Sequence, residues 1–308
     1  MKKMKRIAAM TAALLICSGV MGYMSHGALK IGGFATNAAG DTVAESVEIN
    51  ETNFPDEIFR KYVADSYDKD EDGVLSAEEI KDTKSIVANN KNISDLTGIE
   101  HFTALHSLYC RDNQLTSLDI SKNTALIELK CYQNQLTTLD VSNNKALERL
   151  YCEGNQLTTL DISNNTALGS LSCGNNQLTS LDVSNNKALE HLSCDNNQLT
   201  ALNISNNTEL VDLLCYDNQL TSLDVSNNKA LEYLSCGENQ LTTLDVSNNK
   251  ALEYLACDHN QLTSLDVSNN SDLDRLYCSV NQITTLDLIN NLDKHIYLVI
   301  KTNSHHLT

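Results

Sequence analysis

Nine cysteines stand at positions 110, 131, 152, 173, 194, 215, 236, 257 and 278, each 21 residues from the one before. An ordinary globular core imposes no such interval, because packing there fixes neighbours in space and not their spacing in the chain. A constant period of this length belongs to a chain that stacks one supersecondary unit on the next. Around every cysteine the pattern L-x-x-L-x-C-x-x-N-Q-L recurs. The first copy is Leu105, Leu108, Cys110, Asn113 and Leu115, and the last is Leu273, Leu276, Cys278, Asn281 and Ile283. Leu and Cys alternate with polar residues at its centre, which predicts a half-buried strand. The Asn three places after each Cys can bond the backbone of the neighbouring coil at a turn. One coil alone buries too few apolar side chains to offset the cost of ordering its backbone, so stacking is obligatory.

A second copy of the motif is nested in each unit, as in Leu115, Leu118, Ile120 and Asn123, then Leu136, Leu139, Val141 and Asn144. A 21-residue coil with two such motifs has no room for a full outer helix. The expectation is a mainly β solenoid of parallel strands, with two parallel sheets back to back. The array closely resembles the leucine-rich-repeat family from about Ile86 to the C-terminus, and it is similar to a bacterial subclass with nested repeats. Ile86, Ala88, Ile93, Leu96, Ile99 and Phe102 read as an irregular first coil, and the stretch from Ile93 to Ile99 resembles an internalin-type repeat start. Leu298, Ile300 and Asn303 read as a last strand, displaced by one residue from the repeat phase.

The two ends of the chain differ in charge. Five of the 22 Lys and Arg residues, and none of the 40 acidic ones, lie in the first 38 positions, so the remainder carries −23 where the whole chain carries −18. Lys2, Lys3, Lys5 and Arg6 precede an uncharged apolar run from Ile7 to Val20, the pattern of an export signal and short for a membrane span. We read residues 1–38 as that signal, 39–50 as a linker, 51–84 as a helical cap and 85–308 as the solenoid. Thr36-Asn37-Ala38 is a tolerable cleavage site. Cys17 invites a lipoprotein reading, but Ile16 stands where a small residue is needed. The mature chain is expected to be secreted, free or at the cell surface, and monomeric, without membrane insertion. Its acidity disfavours nucleic acid and suits calcium and cationic partners.

Within the cap, residues 68–79 read D-K-D-E-D-G-V-L-S-A-E-E. This resembles the calcium loop of the EF-hand at each diagnostic position. The resemblance assigns Asp68, Asp70 and Asp72 as carboxylate ligands and Gly73 as the sharp turn. It assigns Val74 through its carbonyl, Ser76 directly or through water, and Glu79 as the bidentate ligand of Ca²⁺. Pro55, Asp56 and Glu57 suit a helix start, and Ile58, Phe59, Tyr62 and Val63 give that helix an apolar face. EF-hands normally pair, and this chain carries one loop where a dockerin would carry two. Its support is expected from the first coil, and its role is expected to be structural, with an affinity of about 10⁻⁴ to 10⁻³ M as in extracellular sites.

The repeated cysteines occupy an inward position where neighbouring repeats would carry Leu, so they read as buried free thiols. Strands about 4.8 Å apart leave disulfides open as the alternative, since bridged Cα atoms lie about 4.4–6.8 Å apart. Asp119, Asp140, Asp161, Asp182, Asp224, Asp245, Asp266 and Asp287, interrupted by Asn203, form an outward row. Hydrogen bonds from nearby Ser117, Thr138 and Thr159 are expected to balance their repulsion, with weak multisite calcium binding as the sharper alternative.

Comparison of the repeats with one another separates framework from surface. Outward positions of the first strand vary freely, and Tyr109, Tyr132, Tyr151, Tyr216, Tyr233, Tyr254 and Tyr277, seven of the 11 tyrosines, fall there. Leu214, Arg111, Arg149 and Arg275 share that face, while Ser170, Ser172, Gly174 and Ser193 leave a shallow stretch between two aromatic patches. Tyr and Arg are enriched in interface hot spots, although tyrosine also suits exposed strands for its β-propensity alone. The resemblance implies partner binding through this sheet, to an extracellular protein or a glycan, with a passive scaffold as the bland alternative. No phosphate loop, nucleophile elbow or metal-spaced His-Glu pair points to catalysis. The eight His are scattered, with His305 and His306 adjacent in the C-terminal tail.

Overall fold

In the computed structural model, residues 46–284 and the strand residues 286–287 and 297–299 are described. The segment read as an export signal, Cys17, most of the stretch read as a linker, Ile300, Asn303, His305 and His306 lie outside them. The described residues belong to one compact unit, Val43–Thr308. It is a leucine-rich-repeat solenoid of about nine turns, mainly β.

Its spine is an 11-stranded parallel sheet in chain order, from Ser85–Val87 through Ser107–Tyr109 to Tyr297–Val299. Register repeats from coil to coil: Leu108 faces Leu129, which faces Leu150. At the far end Leu276 faces Leu298, the one-residue displacement read from the sequence. Leu105, Leu108, Cys110, Leu115 and Ile120 and their counterparts as far as Cys278 line the core with almost no exposure.

Two columns of Asn tie the coils together. In the first, Asn134 donates to the carbonyls of Cys110 and Cys131, and its Oδ1 accepts the Leu115 N–H at 3.0 Å. In the second, Asn144 donates to the carbonyls of Ile120 and Asn123. The third residue after each strand of this sheet turns through the left-handed region, including Asp112, Gln133, Gly154, Glu238, His259 and Val280. That conformation favours Asn, Asp and Gly, yet repetition forces it on whatever side chain stands there. Val280, β-branched at φ 53°, is the costliest case. Val280→Asn is expected to stabilise the last described coils by about 1 kcal/mol, measurable as slower hydrogen exchange around Tyr277; unchanged exchange would mean the strain is absorbed elsewhere.

The second nested motif departs from expectation. Among the described residues it pairs as sheet only at Leu265–Asp266 with Leu286–Asp287. Elsewhere the chain turns. Asp140 Oδ1 accepts the Ser142 N–H at 2.9 Å, and the Asn144 and Leu147 N–H groups bond back to Val141 and Asn144. These local bonds satisfy groups that a second ladder would have used. So one sheet runs the length of the described array, and the second expected sheet is reduced to that single pair.

The cap comprises β1 (Val47–Glu48), α1 (Glu57–Tyr67), β2 (Val74–Leu75) and α2 (Ala77–Asp82). Asp56 N-caps α1 through Ile58 and Phe59, while its other oxygen accepts from Ser94 and Asp95 of the first coil. Burial pushes its carboxyl up, but these hydrogen bonds prevail and hold it below the ordinary value. Phe54, Phe59, Val63, Leu75 and Ile80 join the same core as Ile86, Ile93 and Phe102.

Candidate cation loop and candidate recognition face

The acidic loop runs from the end of α1 into β2 and α2. Glu71 and Gly73 take positive φ, folding the backbone back so that Asp68 accepts the N–H groups of Asp72 and Gly73. Oxygens of Asp68, Asp70 and Glu79 come within 4.8 Å of one another. Asp68 and Glu79 are buried and Asp70 is exposed. Partial desolvation, then the charges of Asp72 and Glu79, push the Asp70 carboxyl up. Glu79 holds Lys69 N–H at 2.6 Å and Ser76 N–H at 2.8 Å, and these bonds outweigh burial and keep its carboxyl low. Ser76 closes a capping box on α2 with Glu79, and Asp72 accepts from Val74. Of the six residues read as ligands, three carboxylates therefore converge, while Asp72, Ser76 and Val74 hold the loop's own turns. Converging hard oxygen donors with few neutralising partners suit a calcium-sized cation.

A detail missed from sequence concerns what supports this single loop. Val47 and Glu48, read as linker, pair antiparallel with Leu75 and Val74. The only hint was the alternation around Val47 and Ile49, too short to distinguish from loop. On the other side, Tyr62 and Tyr67 hydroxyls bond the Val87 and Ser85 carbonyls, covering the exposed edge of the long sheet.

The variable side chains stand on the outward face of that sheet in two groups. In the first, Lys130 Nζ lies 4.8 Å from the Tyr109 ring centre and 5.2 Å from that of Tyr151. Glu128 completes the group, taking the Tyr109 hydroxyl at 2.7 Å and ion pairs from Lys130 and Arg149. Arg111 sits over Tyr132. In the second, Tyr233 and Tyr254 stack with centroids 4.0 Å apart and planes 6° from parallel, and Tyr277 leans on Tyr254 at 5.5 Å. Arg275 is exposed on the strand beside Tyr254. Between the groups, Leu214 is half-buried beside Ser193 and Ser235, and Tyr216 bonds Asp195. Asp195 is 5% exposed and also takes Ser193 and Asn196. Glu153 was not singled out from sequence. One of its oxygens is buried without a hydrogen-bond partner. Burial pushes its carboxyl up, with Asp195 adding to the effect; its own N–H, Ser172 and Lys130 oppose it.

The nine cysteines are buried and unpaired. Burial raises their thiols, to about 12 for Cys110 and Cys236, so they are neutral core groups. The outward Asp row is balanced, but not by Ser117, Thr138 and Thr159. Ser121, Ser142 and Ser163, two residues after each Asp, donate instead and lower the carboxyls. The reason is local: an Asp-x-Ser turn reaches its own backbone before it reaches a neighbouring coil.

Known proteins resemble this chain in the same parts. Residues 54–186 match the family model of the leucine-rich-repeat domain of the endo-β-N-acetylglucosaminidase EndoS. Internalin J of Listeria monocytogenes is 41% identical over 70 residues, which is 23% of this chain and 8% of that protein. The functional domain of InlJ from the same organism, described as including a cysteine ladder, superposes with TM-score 0.78 at 38% identity over 82% of this chain. A Leptospira interrogans leucine-rich-repeat protein, 26% identical, superposes with TM-score 0.61 over 73% of this chain and 68% of its own. The chain spans 56% of the InlJ domain it matches. No helix among the described residues is long and apolar enough to cross a membrane.

Proposed function

We propose that this internalin-like leucine-rich-repeat protein is a secreted, calcium-capped module that binds an extracellular protein through the outward face of its parallel sheet, in adhesion or partner capture. One observation carries the reading. The buried framework of Leu, Cys and Asn barely changes between coils, while the outward positions range from Gly and Ser to packed Tyr and Arg. Stability alone requires no such variation. Packed aromatic and Arg side chains on an otherwise polar face are the anchors that protein interfaces use.

Calcium would be held by Asp68, Asp70, Asp72 and Glu79, with the Val74 carbonyl and Ser76. When bound, it supplies positive charge to converging carboxylates. The residues around it transmit that order. Tyr67 directly precedes Asp68, and its hydroxyl meets the sheet edge, so a rigid loop fixes α1 against the first coil.

The test is recovery of a protein partner from host or microbial surface extracts, with binding then measured on the purified pair. Tyr233→Ala combined with Tyr254→Ala is expected to cost at least about 2 kcal/mol, roughly thirtyfold in Kd, with an unchanged melting temperature. Full retention of binding by the double variant would move the interaction off this face.

A further inference from the structure

The second tyrosine group has a geometry that discriminates between ligands. Tyr254 is stacked on Tyr233 of the preceding coil and has the tilted ring of Tyr277, from the following coil, 5.5 Å away. A sugar binds an aromatic side chain by lying flat on an open face. A stack standing on a sheet offers instead its edges and hydroxyls. Those hydroxyls stand among carboxylates. Two residues beyond the strand, successive coils carry Glu153, Gly174, Asp195, Tyr216, Gly237 and Asp258, with no basic residue among them.

The two glycines in this row matter because of what leans over them. A Cβ on Gly174 would lie 2.8 Å from Asp195 Oδ1, and one on Gly237 would lie 3.1 Å from Asp258 Oδ1. Gly174 is itself buried, and its missing side chain lets the Asp195 carboxylate lean back over that coil toward Glu153, whose charge it opposes. Glu153 Oε2 is buried there without a donor, and a buried carboxylate oxygen without a partner is costly. Few basic groups reach the row: His259 engages one oxygen of Asp258, while His191 engages Asp212 outside it and Arg275 stands exposed on the strand beside Tyr254.

The protein shows what completes such a group. In its first tyrosine patch, Lys130 sits between Tyr109 and Tyr151 with its ammonium 3.0 Å from Glu128. Among the described residues, cations lie over Tyr62, Tyr109, Tyr132 and Tyr151, all in the cap and the first three repeats. The second half has the tyrosines and carboxylates without the lysine. The net charge of −18 extends the same complementarity over the whole surface.

We infer that the face from Glu153 to Tyr277 receives a lysine- or arginine-bearing segment of a partner protein, its cationic side chains bridging the Glu153 and Asp195 carboxylates and meeting Asp258 beside the tyrosine hydroxyls. The inference rests on the reading of this face as the binding surface and narrows it to a cationic polypeptide rather than a glycan.

The experiment uses the secreted full chain with calcium present. The probe is a fluorescein-labelled octapeptide alternating glycine and lysine, with glutamate and serine counterparts, followed by anisotropy at fixed ionic strength. Glu153→Gln with Asp195→Asn is expected to weaken lysine-peptide binding about tenfold or more, as loss of a desolvated charge partner does. Asp161→Asn with Asp182→Asn removes the same two charges from the Asp row and is expected to change it less than about twofold, as for solvent-screened charges. Glu153→Gln keeps the side-chain shape and removes a charge whose Oε2 has no hydrogen-bond partner, so folding should survive, which a thermal melt checks. Equal weakening by both pairs, or no binding of the lysine peptide, overturns the inference. In parallel, chitotetraose is titrated while tyrosine emission is followed, a clean signal because the chain has no Trp. Sugar binding lost in Tyr233→Ala with Tyr254→Ala, without lysine-peptide binding, would keep the face and overturn the cationic assignment. Failure of both probes, with protein capture unaffected by the tyrosine variants, would remove the face as well.

Discussion

Asp68→Ala is expected to abolish saturable calcium binding in calorimetric titration and to remove any rise in melting temperature on adding calcium. Asp68 is 8% exposed, and its two oxygens already hold the Asp72 and Gly73 N–H groups at 3.2 and 2.9 Å. It is the fixed member of the cluster with Asp70 and Glu79. In chelator the parent keeps these carboxylates close together, so the alanine variant loses two hydrogen bonds but also a repulsion, and the two should melt within a few degrees. In calcium they should separate. A ligand at about a hundred times its Kd stabilises the native state by about 2.7 kcal/mol, and the variant forgoes all of it. Because α1 and α2 flank the loop, the gain should appear as protection of residues 57–82 in hydrogen exchange, not of the far repeats. A parent chain that melts identically in chelator and in calcium at about a hundred times that Kd would leave the cap held by packing alone.

The other large effect is expected at Gly98. Its φ of 107° is open only to glycine at low cost, and a Cβ there would lie 2.2 Å from the Phe54 ring and 2.7 Å from the Asn53 carbonyl. Phe54 is fully buried and touches Phe59 and His101, so the ring cannot simply withdraw. Gly98→Ala combines a disallowed backbone with overpacking and should cost about 3 kcal/mol or more. Gly73 is the internal control. Its φ is 82° but a Cβ there meets nothing within 4 Å, so Gly73→Ala should cost only about 1–2 kcal/mol for the backbone. In a stacked array each coil contacts only its neighbours. The Gly98 damage should therefore appear as faster exchange from Val47 to about Tyr109, with repeats beyond Cys173 still protected. Equal melting of the two alanine variants would show that the Phe54 contact does not hold the cap in solution.

What the sequence determined by itself was whatever repeats. The 21-residue period, the inward Leu and Cys, the Asn columns and the outward place of the tyrosines all followed from it, down to the displaced last strand at Leu298. Each coil has the same neighbours, so the local pattern already states the tertiary environment. The acidic loop was readable for a similar reason, since its turns are made by residues within a few places of one another. The tertiary structure alone decided the contacts that occur once. Asp56 reaching Ser94 across 38 residues, Val47 pairing with Leu75, and Tyr62 reaching Val87 depend on how a cap settles on an array, and no period announces them. It also decided how the second motif behaves. Leu-x-Val looked like strand, but the Asp between them turns back to the following Ser, and a bond two residues away forms before one to the next coil. The stack of Tyr254 between its neighbours and the orphaned oxygen of Glu153 depend on side-chain conformation, which a residue's position on a face leaves open.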